Sequence, residues 1–350
     1  MRASIGTLAV LGLRDIRMAA VPTTAYLMVG GRCCGDCSYC GQGRSAEGDH
    51  SHLSRVVWPE VSDEVLVQAF VAHPGAFQRV CSQTTASPGV LRKLLDVVPR
   101  IRAASGAEIS VAYRVTGTDE ADRLFAAGVQ RIGVAIDCCS ERLYPRLRGG
   151  TLADAVALVK DLAGRYPGRI STHLIIGLGE EEMEAAELMI DLHHAGVLVS
   201  LFAFTPVRGT RMSNDTPPPL VSYRRLQLLL GLLDLQEEQF YVAYDARKTI
   251  HGLGLSEARL RAFLKHHFVF VTHGCPGCNR PFYTEAPGGT MYNFPAVPDG
   301  SVDREIDAFI DALKADGFDF AGLESATTDG ASGGVMHHYL GVEKSLDRKT

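Results

Sequence analysis

Short apolar runs alternate with amphipathic segments from about residue 24 to residue 240. Thr24–Gly30 (TAYLMVG) reads as a buried strand, and Val61–His73 has helical spacing, with Val65, Leu66, Ala69 and Phe70 on one side. Further strands are expected at Phe77–Thr84, Glu108–Arg114, Arg131–Asp137, Ile170–Leu178 and Val197–Thr205. Helices are expected at Val90–Ala104, Asp119–Ala127, Thr151–Arg165, Glu180–Ala195 and Tyr223–Gln239. Strands that are solidly apolar, each followed by a helix, imply parallel pairing with helices outside. Six such units predict an α/β fold, a partial or complete parallel (β/α) barrel of the TIM type with a C-terminal extension. Its chemistry belongs at the C-terminal ends of the strands. A doubly wound open sheet competes, but no Gly-x-Gly-x-x-Gly follows the first strand.

The rhythm divides the chain into an N-terminal segment (1–23), a barrel (24–240), an extension (241–324) and a small polar tail (325–350) expected to be disordered. In the extension, Leu255–Leu264 reads as a helix, His267–Thr272 as a strand and Asp303–Ala315 as a last helix. A Gly/Pro-rich stretch between the last two holds Cys275 and Cys278. The 350 residues carry 35 Lys plus Arg against 40 Asp plus Glu, a formal charge of −5, which offers no basic footprint for nucleic acid. Residues 8–13 are too short an apolar run for an export signal, and no stretch of about 18 apolar residues suits a membrane span. A cytoplasmic protein is expected.

Nine cysteines, an odd number in clusters, suit metal better than a disulfide framework. Cys33, Cys37 and Cys40 are spaced C-x3-C-x2-C directly after the first strand. Three thiolates on one loop can hold three corners of a [4Fe–4S] cube and leave the fourth iron open to a small molecule. A zinc site would need a fourth ligand such as His50 or His52. Cys275-Pro-Gly-Cys278 is a second metal-type spacing, with a redox-active pair as its alternative. If it holds half of a second cluster, two more ligands come from the barrel. With Asp137 facing the lumen, strand alternation brings Cys139 to the same face, with Cys138 as substitute. Cys81, at the active end of the second strand, is the other candidate, although free cysteine is commonly just buried core.

The pattern Cys33, Cys37, Tyr39, Cys40 resembles the signature of the radical S-adenosylmethionine (SAM) superfamily, and the resemblance covers about residues 24–240. It implies an enzyme in which the open iron binds SAM and a low-potential electron donor drives release of a 5′-deoxyadenosyl radical. It also implies roles for single residues. Tyr39 would pack beside the cofactor. Ser82 and Gln83 would hold the methionine amine and Arg148 (or Arg146) its carboxylate. Asp137 would meet the ribose, with helix capping as its alternative role. Ile176 and Gly177, within His173-Leu-Ile-Ile-Gly-Leu-Gly-Glu180, and Thr205 would support adenine.

Within the superfamily the chain is most like the biotin and lipoyl synthases. Leu53–Pro59 and Cys275–Tyr283 resemble the split, two-protein (archaeal-type) lipoyl synthases. That resemblance implies a sulfurtransferase acting on an octanoylated lipoyl-domain or carrier protein together with a companion radical SAM protein. Its auxiliary [4Fe–4S] cluster would donate the sulfur, with Cys275, Cys278, Cys81 and Cys139 as the ligand set. Biotin-type closure, another auxiliary-cluster reaction, or a non-catalytic iron–sulfur or zinc protein are the alternatives. Phe202, Phe204, Phe282 and Tyr292 are candidate walls of an apolar substrate cavity.

Overall fold

The computed structural model describes residues 1–236, 239–285, 288–321 and, for the backbone, 336–339. It packs as two units. The first comprises Met1–Glu180, Asp191–Pro218 and Val271–Ala296; the second comprises Glu181–Ile190, Pro219–Phe270 and, as far as described, Val297–Thr350. The division differs from the linear one the composition suggested, because the segment carrying Cys275 and Cys278 returns to the first unit. The Thr23 amide donates to Asn279 Oδ1 (3.1 Å), which fastens that segment beside the start of the first barrel strand.

In the first unit, β1 (Thr24–Val29), β2 (Arg79–Thr84), β3 (Glu108–Ala112), β4 (Arg131–Gly133), β5 (Ile170–Ile176) and β6 (Leu198–Ala203) pair in parallel. The spatial order is the chain order, so no topological switch point exists and the doubly wound alternative is excluded. A short strand, Arg2–Ala3, adds to the outer edge of β1 antiparallel, and the helix Ile5–Val10 follows it. Both lie in the segment expected to precede the fold. The intervening helices are α1 (Asp63–Ala72), α2 (Val90–Ser105), α3 (Thr118–Ala126) and α4 (Leu152–Arg165). Ser62 caps α1 by accepting from the Val65 amide, and Thr151 caps α4 by accepting from that of Asp154.

Only β1 is buried at every position. In the later strands polar and apolar residues alternate, contrary to the solidly apolar reading. Val80, Ile109, Val111, Leu174 and Val199 are buried, while Cys81, Gln83, Ser110, Ser171, His173 and Ser200 line one central cavity. Residues from all six strands reach that cavity, at i and i+2 on all but the short β4, so the sheet curls around it as a partial or complete barrel. The lumen mixes these polar side chains with apolar ones such as Met28, Ile175 and Phe202.

In the second unit, α5 begins (Glu182–His194), and α6 (Leu220–Leu235) is buried over most of its length. β7 (Phe240–Tyr244), β8 (Ile250–Gly252) and β9 (Met336–Tyr339) form an antiparallel sheet in the order β8-β7-β9. Part of the tail expected to be disordered is therefore a strand; the rest of 325–350 lies outside the described residues. The expected strand at His267–Thr272 is not one. α7 (Glu257–His267) runs to His267, and only Val271 forms a bridge, to Phe294. α8 (Val302–Ala315) follows. Arg225 binds the unit internally by pairing with Glu182 (2.7 Å) and Asp316 (2.9 Å). Among the described residues no helix is long and apolar enough to cross a membrane.

After β5 the backbone turns at Gly177 (φ 104°), whose amide donates to Glu180 Oε1 at 2.6 Å. A Cβ there would stand 2.7 Å from Pro218 Cδ. Gly177→Ala therefore combines a disfavoured backbone with overpacking, and a loss of about 2 kcal/mol is expected by chemical unfolding of the metal-free protein.

Candidate active site

β1 delivers the chain to the mouth of the cavity, where Gly30 (φ 112°) turns it into a loop. A Cβ at Gly30 would sit 2.3 Å from Thr85 Oγ1, so glycine alone allows this exit from the strand. Cys33, Cys37 and Cys40 all line the cavity, whose volume is about 360 Å³. Cys34 is exposed and does not line it. The loop is tightly wound: the Cys40 amide donates to Cys37 O (3.2 Å), and the Gly43 amide donates to Cys40 O (2.9 Å). Arg211 ties it down by pairing with Asp36 at 2.7 Å. Burial pushes the Cys40 thiol up to about 12, so without a bound cation it stays neutral.

Zinc fits this loop poorly. His50 Nδ1 meets Gly41 O at 3.0 Å and His52 Nδ1 meets Asp49 at 3.1 Å, and neither histidine lines the cavity. Among the described residues no three His, Cys, Asp or Glu side chains are grouped to hold a single ion.

Asp137 is the electrostatic centre of the mouth. It is 5% exposed, at φ 65°, and its carboxylate is occupied on both oxygens. Tyr39 donates its phenol to Oδ2 (2.6 Å), Arg148 Nε lies 3.0 Å from the same oxygen, and His173 Nε2 lies 2.7 Å from Oδ1. Burial alone would raise this carboxyl, but the Arg148 guanidinium and His173 outweigh it and hold Asp137 well below the usual carboxylate range. Arg148 in turn donates to Ala135 O (2.7 Å) and to Cys37 Sγ (3.3 Å). Its three nitrogens are thereby engaged within the protein, on Asp137, Ala135 and Cys37.

Deeper in the same cavity Cys81, Cys275 and Cys278 line the wall. Gln83 Nε2 donates to Cys81 Sγ (3.2 Å), and Tyr26 Oη lies 3.3 Å from Cys278 Sγ. Ser110 Oγ lies 3.7 Å from Cys275 Sγ. Burial pushes the Cys81 thiol well up, and the nearby Cys275 and Cys278 add to the rise. Cys81 and Cys278 also pack against the aromatic cluster of Tyr26, Trp58 and Tyr283.

Of the residues expected at the site, Tyr39, Gln83, Asp137, Arg148 and Thr205 line the cavity. Ser82 and Ile176 do not: both are buried, on the strand face opposite to Cys81, Gln83 and Ile175. Gly177 serves the turn described above and is likewise outside the lining. Cys139 is the fourth departure. Alternation was expected to bring it to the lumen with Asp137, but β4 ends at Gly133 and the positive φ of Asp137 breaks the parity; Cys139 is 3% exposed and outside the lining. Phe202 and Phe204 are walls, whereas Phe282 and Tyr292 are not; Tyr292 donates its phenol to Pro218 O at 2.7 Å. The sequence offered no signal for Arg280, whose guanidinium stacks 3.8 Å over the Phe202 ring, or for the His173–Asp137 pair.

A parallel β/α barrel with a three-thiol loop above its first strand defines the class. Residues 27–192 match the model of the Radical SAM superfamily. It is similar to the biotin synthase of Pelotomaculum thermopropionicum, 28% identical over 186 residues, which are 51% of this chain and 56% of that protein. It is also similar to the biotin synthase of Brucella ovis, 26% identical over 210 residues, 58% of this chain and 62% of that protein. In both cases the match spans less than two thirds of the relative. Among solved structures, methylornithine synthase aligns with a TM-score of 0.49 and 14% identity, over 87% of this chain and 84% of that one.

The family match implies SAM and a [4Fe–4S] cluster, and the residues present fit the cluster. Cys33, Cys37 and Cys40 are three soft donors on one loop facing a cavity, with a guanidinium already directed at one sulfur.

Two outcomes follow from the Asp137 network. Asp137→Asn leaves the half-buried Arg148 guanidinium short of its counter-charge, so a loss of about 3 kcal/mol is expected near neutrality. Because the folded carboxyl titrates below its unfolded value of about 3.9, this stabilisation is present above that pH and fades as the pH falls below it. The stability gap between wild type and Asp137→Asn should narrow in acid, measured by thermal unfolding of the metal-free proteins. Arg148→Gln removes a donor and a positive charge from Cys37, and the midpoint potential of the loaded cluster should fall, read by redox titration.

Proposed function

We propose that this protein is a radical SAM enzyme that inserts sulfur into an unactivated C–H bond of an aliphatic chain. The observation that supports this reading is that two sets of three thiols face a single cavity: Cys33, Cys37 and Cys40 at its mouth, and Cys81, Cys275 and Cys278 deeper in. When loaded, the first set would supply reductive SAM cleavage to a 5′-deoxyadenosyl radical, and the second an auxiliary iron–sulfur cluster as sulfur source.

The chain's own residues would then bind, orient and shield. Asp137 holds Tyr39 and His173 in place beside the thiol loop, and Gln83 and Thr205 add polar groups to the cavity wall. Phe202, Phe204, Ile175 and Met28 give the cavity an apolar wall suited to an alkyl chain. No general acid or base is needed for hydrogen abstraction, and Asp137 is the one carboxylate among the described lining residues.

The substrate in this reading is an octanoyl-lysyl arm on a lipoyl-domain or carrier protein. A companion radical SAM protein shares the two insertions, and a low-potential donor supplies electrons. Biotin-type closure is the second reading, favoured by the similarity to the two biotin synthases.

The discriminating experiment is anaerobic incubation with SAM, a reductant and an octanoylated lipoyl-domain peptide, with and without a companion radical SAM protein, beside a parallel reaction with dethiobiotin. The expected result is a peptide gaining one or two sulfurs by mass. Sulfur on dethiobiotin alone would favour the second reading. 5′-Deoxyadenosine without sulfur transfer would remove both.

A further inference from the structure

The deeper thiol set has three members where a closed cube has four corners. The groups around it are nearly all committed. Tyr26 Oη contacts Cys278 Sγ and accepts from the Arg280 amide at 2.9 Å. Ser110 Oγ accepts from Arg79 at 2.7 Å, and the Gln83 amide nitrogen donates to Cys81. Tyr283 differs. It is 8% exposed, it lines the cavity, and its hydroxyl has no hydrogen-bond partner among the described residues. Among the cavity-lining residues the other buried side-chain atom without a hydrogen bond is Arg148 Nε, which is ion-paired to Asp137.

A buried hydroxyl left unpaired is unfavourable, so its retention calls for a reason. The ring is firmly held. It packs edge-on to Trp58 (centroids 6.0 Å apart, 88°) and tilted against Tyr26 (5.2 Å, 55°), in the cluster that also receives Cys81 and Cys278. The backbone that carries it is bent to this end, with positive φ at Arg280 (34°) and Phe282 (58°) on its N-terminal side.

We infer that Tyr283 supplies the fourth ligand of the deeper site, its phenolate oxygen completing a Cys81, Cys275, Cys278 set around a cubic iron–sulfur cluster. This deepens the proposed function and rests on its reading of those three cysteines. On binding, the phenol proton passes to solvent and the oxygen donates a lone pair to iron, with no change in oxidation state. A harder, single oxygen donor among three thiolates makes one iron of the cube unlike the others. That iron is the one most readily released, which suits a cluster that gives up its contents.

The test uses full-length protein with Cys33, Cys37 and Cys40 all changed to Ala, so that only the deeper site can load, with Tyr283 or with Tyr283→Phe. The phenylalanine keeps the ring packing, and since the hydroxyl has no hydrogen-bond partner among the described residues, the metal-free variants should unfold at the same temperature or the variant slightly higher. After anaerobic reconstitution, the Tyr283 protein should bind roughly four irons and show phenolate-to-iron charge transfer by resonance Raman. Tyr283→Phe should lose that band and shed one iron on mild oxidation, giving a three-iron EPR signal. Identical spectra and iron content in both would overturn the ligand role while leaving the three-thiol site standing. No iron–sulfur cluster in either protein would overturn the deeper site itself, and the ligand role with it.

Discussion

Everything at this site depends on the two-residue period of a parallel strand imposed on a sheet that curls. On β2 the period sends Cys81 and Gln83 inward and Ser82 outward; on β5 it sends Ser171, His173 and Ile175 inward and Ile176 outward. Repeated over six strands in sequential order, it makes a chamber whose wall is chosen for chemistry while the outer face remains apolar for the helices. A slip of one residue in β2 would exchange its two faces and remove the Cys81 thiol from the chamber. The loop above β1 and the segment Val271–Ala296 then need only to close over the chamber to bring in the remaining thiols.

The second constraint is electrostatic. A carboxylate as buried as Asp137 is unfavourable unless fully compensated, and it receives a phenol, a guanidinium and an imidazole. Its left-handed backbone is held by this compensation, with the Asp137 amide donating to His173 O at 3.0 Å and the Ile175 amide donating to Asp137 O at 2.7 Å. Because Arg148 also reaches Cys37, the pair links the thiol loop to the end of β4 as one rigid assembly. Tyr39 plays the same part from the loop side.

Much of this was legible in the chain. The alternation of apolar and amphipathic segments located all six barrel strands, and the C-x3-C-x2-C spacing located the mouth. What escaped reading was set by local geometry that no periodicity records. Cys139 was misplaced because the parity argument assumed a continuous strand through Asp137, where the backbone instead turns left-handed. Ser82 and Ile176 were chosen for their chemistry and neighbourhood, and the face each occupies was overlooked. His173 was read only as the start of the segment ending at Glu180, although its ring makes one of the shortest contacts to Asp137. Tyr283 lay within a recognised stretch, but its unpartnered hydroxyl is a property of packing alone.

The central claim is that one chamber houses two separate iron–sulfur clusters, held by different sets of thiols. Iron and acid-labile sulfide counts on the anaerobically reconstituted wild-type protein test it most directly. The account predicts roughly eight irons and eight sulfides per chain, two cubes' worth. A count that stays near four, unchanged when Cys81, Cys275 and Cys278 are all replaced by alanine, would contradict it.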